Sequence, residues 1–192
     1  GTAMTAAVTV PLAGLATASA AKFGEVDKSL KLVQQTMGST DEQAKVLEGA
    51  IKKAAANSVY GMQDAADAAL NYARQGFSAT QAADMIAPAM NLAAGTATDL
   101  ATVTGGVGNA MKIFADQGLE AESAANMLAK AQAQANTTVT DLFEAMSTAG
   151  PMLDSVGWSF KDLAVVTDVF GDAGISGSEG ATALKTGLAR LA

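Results

Sequence analysis

The side chains that could do chemistry in this 192-residue chain are carboxylates, hydroxyls and a few lysines, because the sequence contains no cysteine and no histidine. Disulfides, thiolate metal sites, imidazole bases and Ser-His-Asp triads are therefore excluded. The acidic pairs Asp64/Asp67 and Glu120/Glu122 have the residue type that acid–base catalysis uses. Each pair lies near a predicted helix start, where a carboxylate favours the helix dipole, so solvated helix surface is the better interpretation.

One glycine cluster, Gly105-Gly106-Val107-Gly108, is followed by a basic residue, Lys112. A phosphate-binding loop requires Gly, four residues and then Gly-Lys-Ser/Thr. Here the lysine is displaced, and a dinucleotide fingerprint would need a third glycine and a preceding strand. We interpret the cluster as a flexible or closely packed point within a helix, although it raises the question of whether that helix is continuous.

An acidic segment from Asp168 to Glu179 could suggest a calcium loop. An EF-hand that started at Asp172 would need an oxygen ligand at its third position and a glutamate at its twelfth. Those positions hold Gly174 and Ala183, so a helix end followed by a helix cap is the better interpretation. We therefore predict no catalytic residue, no cofactor site and no metal site in this chain.

The composition favours closely packed helices and disfavours nucleic-acid binding. The chain is 49% hydrophobic but only 5% aromatic, and alanine has the highest helix propensity of any residue. Alanine also buries little area, so helices must approach closely to gain from packing. The net charge of −7, with 12 basic residues in no basic run, argues against direct sequence-specific or non-specific binding of DNA or RNA.

Residues 1–21 carry no charged side chain. A membrane span needs about 20 strongly apolar residues, whereas this stretch is diluted by Gly, Thr and Ser and broken by Pro11. We do not expect it to cross a membrane, although a membrane-active segment is one alternative. We interpret residues 1–38 as a long, apolar N-terminal helix that is covered by the rest of the protein or by a partner. Residues 39–192 then form a helical-hairpin core domain.

Helix start and stop signals predict an all-α chain with no sheet. Thr40, three residues before Gln43, has the spacing of a capping box. Pro88 is expected to kink or divide its helix, and Pro151 to break another near its middle. The predicted helices span 11–36, 40–57, 61–74, 79–94, 99–116, 120–135, 139–155, 160–172 and 177–191.

A junction of glycine, a large apolar residue and a polar residue recurs between helices. Glycine takes a left-handed conformation at a helix end, the apolar residue folds back on the last turn, and the polar residue caps the next helix. Successive intervals of 42, 39 and 17 residues predict consecutive antiparallel helix hairpins in an irregular bundle or short solenoid. The junction residues are Gly76, Phe77, Gly118, Leu119, Gly157, Trp158, Gly174 and Ile175.

Taken in order along the chain, several segments resemble the core region of bacteriophage tail tape measure proteins. The resemblance covers essentially all 192 residues, and it rests on the order and spacing of the segments and not on one decisive motif. The matching segments are Gly1–Thr5 leading into Val8–Leu12, Leu92–Ala94 with Thr98–Leu100, Ala135–Val139, Ala149–Met152, Val156–Ser159, Gly174–Ser178 and Ala181–Leu191.

The resemblance implies a structural role and a fragment of a longer chain. A tape measure protein occupies the lumen of the growing tail tube, sets tail length, and meets the tail tube protein and tail assembly chaperones, with self-association expected. It is made in the host cytoplasm and becomes part of the virion. The alternatives are a helical adaptor module outside phages, which binds a partner helix, and a membrane-active segment that aids genome delivery. An enzyme is the weakest alternative.

Overall fold

The computed structural model describes residues 25–191, and within that range every regular element is a helix. The all-α prediction is confirmed. The helix whose described part covers 25–37 is α1. The others are α2 Asp41–Ala56, α3 Met62–Arg74, α4 Ala79–Thr96, α5 Leu100–Ile113, α6 Ala121–Gln134, α7 Val139–Ser155, α8 Phe160–Asp172 and α9 Gly177–Leu191, with a 3₁₀ turn at Ala115–Gln117 after α5.

Side-chain caps fix most helix starts where the sequence predicts them. The Thr40 hydroxyl accepts a hydrogen bond from the Gln43 backbone N–H, and the Gln43 side chain accepts one from the Thr40 N–H, which completes a capping box. The same reciprocal pair opens α4, α7 and α8. These caps satisfy N–H groups that have no partner inside the helix, so each start is set locally.

The predicted break at Pro151 is wrong, and Pro88 does not divide its helix. α4 runs undivided through Pro88, and α7 runs unbroken through Pro151. A proline removes one hydrogen bond and crowds the carbonyl four residues earlier. The neighbouring turns are held by buried residues on both sides of each proline, such as Met85 and Met90 in α4, and this packing keeps the helix in one piece.

The helices pack in two rows. The even-numbered row joins α2 to α4, α4 to α6, and α6 to α8, and the odd-numbered row joins α3 to α5, α5 to α7, and α7 to α9. Neighbours in sequence also pack, so each helix contacts helices one or two places away along the chain. α1 joins the odd row at α3, where the Gln63 side chain donates to the Ser29 hydroxyl at 3.0 Å. Of the two predicted architectures, these pairs are those of a short solenoid.

One continuous apolar core lies between the rows, from Val33 in α1 to Ala181 in α9. Alanine dominates it, with leucine next, and Met85, Met90 and Met146 fill space that the alanines leave. Close approach is achieved with glycine. In α5, Gly106 lies directly against the ring of Phe143 from α7, so the glycine cluster is a closely packed part of a continuous helix.

The glycine cluster provides a matched test of packing. Gly105→Ala should stabilise the protein by about 0.5–1 kcal/mol, because this helical position has open space around it and alanine loses less backbone entropy. Gly106→Ala should destabilise it by about 1–3 kcal/mol, because a methyl group there overlaps the buried Phe143 ring. Urea unfolding of both variants checks the pair, and equal effects would contradict the close contact.

Candidate functional site

Three of the four predicted junctions share one backbone geometry. The glycine φ is 87° at Gly76, 82° at Gly157 and 77° at Gly174, in the left-handed region. At each, the glycine N–H donates to the carbonyl three residues back, and the next N–H donates to the carbonyl five residues back, at 2.8 to 3.1 Å. This is the Schellman pattern, which satisfies the last helix carbonyls and turns the chain.

The junction at Gly118 is built differently. Its φ is 65°, but it follows the 3₁₀ turn and not a full α-helical turn. The next polar residue, Glu120, makes no side-chain cap on α6, so the predicted cap is wrong here. Glutamate is not among the residues preferred at a helix N-cap, which are Ser, Thr, Asp and Asn. The polar residues that do accept a hydrogen bond at the other three junctions are Ser78, Ser159 and Ser176.

Phe77 is the most firmly held apolar junction residue. It is only 8% exposed and meets the ring of Tyr72 edge to face, with centroids 5.9 Å apart. The Lys112 ammonium lies 5.4 Å from the centroid of the Phe77 ring and donates to the Gln75 carbonyl. Lys112, which follows the glycine cluster, therefore stabilises the C-terminal end of α3.

The other apolar junction residues are less buried. Leu119 and Trp158 are half-buried, and Ile175 is 38% exposed. The Gln117 side-chain amide donates to the Trp158 carbonyl at 2.9 Å and to the Asp154 carboxylate at 2.8 Å. These bonds tie the Gly118 junction to the Gly157 junction, which follows it in the same row of the stack.

The junctions that follow odd-numbered helices form a regular series, and it has one more member than the sequence pattern predicts. Gly38 also has a left-handed φ of 59°, and it lies 38 residues before Gly76. The next two intervals, to Gly118 and Gly157, are 42 and 39 residues. The glycine–apolar–polar pattern does not identify Gly38, because Ser39 and not an apolar residue follows it.

Ala97, between α4 and α5, is a turning point that the sequence did not reveal. It has a left-handed φ of 53°, which is rare for a residue with a side chain. The following Thr98 N–H donates to the Ala93 carbonyl at 3.1 Å, and Asp99 then caps α5 through the Thr102 N–H at 2.9 Å. Only the Asp99 cap leaves a sequence signal.

Exchanging alanine and glycine at two positions with left-handed φ should change the stability of the protein in opposite directions. Gly157→Ala should destabilise the protein by about 1 kcal/mol, since a Cβ atom disfavours this conformation, and Ala97→Gly should stabilise it by a similar amount, about 1 kcal/mol. Thermal unfolding measures both. Loss of stability in the Ala97→Gly variant would show that Ala97 is not strained.

A surface groove about 620 Å³ in volume lies between α4 and the start of α6, and its far end reaches the end of α5. A neighbouring cavity of about 270 Å³ shares Ala87, Pro88 and Glu122 with it. Because Pro88 has no N–H, the Asp84 carbonyl in this groove lacks its usual helical donor. The apolar lining is formed by Phe77, Met85, Met111 and Leu119, and the acidic edge by Asp84, Glu120 and Glu122.

Three of the candidate carboxylates make hydrogen bonds that stabilise helices or their contacts. Asp64 accepts from the Gly61 N–H at 2.8 Å, and Asp67 from the Gln63 side chain at 2.8 Å. Asp172 accepts from the Asn136 N–H at 3.0 Å, which joins α8 to the loop before α7. Among residues 25–191, no group of acidic residues has the arrangement of a metal site.

Asp168 on α8 is the one carboxyl in the described range whose pKa is raised. Partial burial is the larger cause of the raised pKa, and the nearby Asp172 carboxylate raises the pKa further. One Asp168 oxygen is buried without a hydrogen-bond partner. An ionised Asp168 therefore costs folding free energy.

Asp168→Asn should raise the melting temperature at neutral pH. Because the folded-state pKa of Asp168 lies above its usual value of 3.8, the folded protein binds this proton more tightly, and stability falls as pH rises through that pKa. The advantage of the variant should shrink below about pH 4, where Asp168 is protonated in both states. Melting curves from pH 3 to 8 check this, and a pH-independent difference would contradict it.

Within residues 25–191, no helix is both long enough and apolar enough to cross a bilayer. The uncharged stretch 1–21, on which the membrane-active alternative rests, lies outside the described residues.

A two-row stack of helices with capped starts and closely packed glycines has the architecture of the helical-repeat class. Residues 48–192 match the family described as phage-related minor tail protein, and the chain belongs to that family. It is also 30% identical to the tape measure protein of Pneumococcus phage Dp-1 over all 192 residues, which span 17% of that protein's length. No solved structure matches it. The chain is a component of a phage tail.

Proposed function

We propose that this chain is a folded domain of a tape measure protein, which sets tail length and scaffolds the tail tube from within its lumen. The observation that carries this is the similarity to a tape measure protein over the whole chain, together with family membership. A helical-repeat structure without a catalytic constellation suits a spacer, because its dimensions follow from helix packing. We infer that the chain is not an enzyme.

The two-row fold has a consequence for measuring length. An extended helix gains ~1.5 Å per residue. In a stack, each added pair of helices advances each row by about 8–10 Å, the distance between packed helix axes. A repeat of about 40 residues thus adds far less length when it is folded into the stack than it would as one extended helix. We infer that this domain contributes little to the ruler, and that other segments do most of the measuring.

The proposed partners follow from that location. They are the tail tube protein and the tail assembly chaperones, with self-association between copies, and no sequence-specific nucleic acid contact. Assembly takes place in the host cytoplasm before the protein is enclosed in the virion. We also propose that residues 39–192 form the core domain and that 1–38 form an apolar N-terminal helix, whose described part, α1, packs on that domain. The helix junctions at Gly76, Gly118, Gly157 and Gly174 would hold the core in its stacked form.

Removing one repeat tests the proposal in the phage that encodes this chain. Deleting Phe77–Gly118 joins Gly76 directly to Leu119 and Glu120, so a glycine–apolar–polar junction is preserved. The deletion removes 42 residues, which as a single extended helix would shorten the tail by roughly 63 Å. From a stack, we expect a shortening of about 10 Å, the spacing of one helix pair. Electron microscopy of tails measures the difference.

Duplicating Phe77–Gly118 is the matched control, because it keeps every junction and adds one repeat. Tails should lengthen by about 10 Å. Tail lengths that change in proportion to residue number in both variants would overturn the idea of a folded domain. Unchanged lengths after large deletions elsewhere in the same protein would overturn the tape measure role itself. Mass spectrometry of purified virions establishes that each variant is incorporated.

A further inference from the structure

The last helix of the even row, α8, presents apolar side chains that nothing in residues 25–191 covers. Val169 is 62% exposed and Val165 is 52% exposed, while Val166 is half-buried. Exposed valines next to each other on one helix are costly in water unless a partner covers them. Alignment of α8 with the other even-row helices shows which of these valines a partner would cover.

Counting from the cap residues Thr40, Ser78, Glu120 and Ser159 places the even helices in a common register. The seventh residue after the cap is apolar in all of them: Leu47, Met85, Met127 and Val166. In the first two helices of the row it is only 3% and 2% exposed. Met85 lies in the groove that α4 forms with α6, so in α4 this position faces the next helix of the row, whereas Leu47 of α2 lines a cleft shared with α1.

The tenth residue lies one turn further along the same side. Pro88 of α4 is half-buried and lines both cavities beside α6. Its equivalent in α6, Lys130, reaches solvent with its long side chain, and its equivalent in α8 is Val169. Val166 and Val169 thus occupy the side of α8 on which a further helix of the even row would stack.

The fifth residue after the cap marks the side of an even-row helix that approaches the preceding helix of the row. It is alanine in every even helix that follows another one: Ala83, Ala125 and Ala164. Ala125 lines the cleft toward α4, so a small side chain is present where the later helix approaches the earlier one. In α2, the first even helix, the same position holds Lys45.

A second copy of the same face is a poor occupant. Asp162, Asp168 and Asp172 surround the valines on α8, with Lys161 as the one basic residue on that helix. Two such faces would bring like charges together, which opposes a symmetric pairing. A helix in the repeat register avoids this, because it repeats the way in which α6 meets α4.

We propose that another helical hairpin of this repeat, carried by the same polypeptide after α9, stacks on Val166 and Val169 and continues the solenoid. Its even-row helix should open two residues after a glycine and carry alanine five residues after its cap. The longer relative, of which this chain spans 17%, leaves ample length for such repeats. The proposal rests on the fold and does not depend on a role in tail length.

These 192 residues contain no cysteine, so a single introduced cysteine can be labelled in the full-length protein once any cysteine elsewhere in it is replaced by serine. Val169→Cys places a thiol on the side that we expect to be covered. Val165→Cys is the matched control, because the sixth residue stays exposed in α4 and α6, at Asp84 and Asn126, despite their neighbours. We expect a maleimide to react at least about tenfold more slowly with Val169→Cys than with Val165→Cys, since reaction would require local opening.

Equal labelling rates in the two variants would overturn the proposal. Protection of Val169→Cys that disappears on dilution would also overturn it, because it would identify a second copy as the occupant. Protection that persists on dilution supports an intramolecular helix. Both substitutions are at exposed positions, so matching melting temperatures establish that each variant is folded. A normal tail length in the deletion experiment has no bearing on this outcome.

Discussion

The close approach of helices through small side chains is the constraint on which this structure depends. The core is built largely from alanine, which contributes little buried area per residue, so the rows gain stability only if their backbones come near each other. Glycines make the closest contacts. Gly106 lies against Phe143, and Gly171 faces the Asn136 carbonyl so closely that a Cβ atom there would lie 2.7 Å from the oxygen. A larger side chain at such points would separate the rows.

This constraint makes the fold a sequence of local steps. Every substantial contact between helices joins elements one or two places apart, so each hairpin is stabilised by its neighbours and by no distant closure. A structure of this kind can be lengthened or shortened by whole repeats without changing the rest. It also leaves an apolar face at each open end, and α8 shows such a face at Val166 and Val169. A spacer inside an elongated assembly can use both properties.

The sequence predicted helix existence and most helix limits well, because caps and stops are local. Thr40 with Gln43, and Ser159 with Asp162, satisfy helix starts with residues three apart, and Gly157 ends α7 by its own backbone preference. Prediction failed where tertiary contacts outweighed a local rule. Pro151 does not break α7, since packing on either side holds it, and α5 ends in a 3₁₀ turn that no residue signals.

The sequence by itself determined the class of protein and the chemistry it lacks. Without histidine or cysteine the chain cannot form an imidazole or thiolate site, and its alanine-rich helices require close packing. Only the tertiary structure decided that these helices form two rows, that the series of junctions includes Gly38, and that Ala97 turns the chain without a glycine. The physical reason is that caps and stops act within a few residues, whereas the choice of neighbour depends on which faces fit together across 30 or more residues of chain.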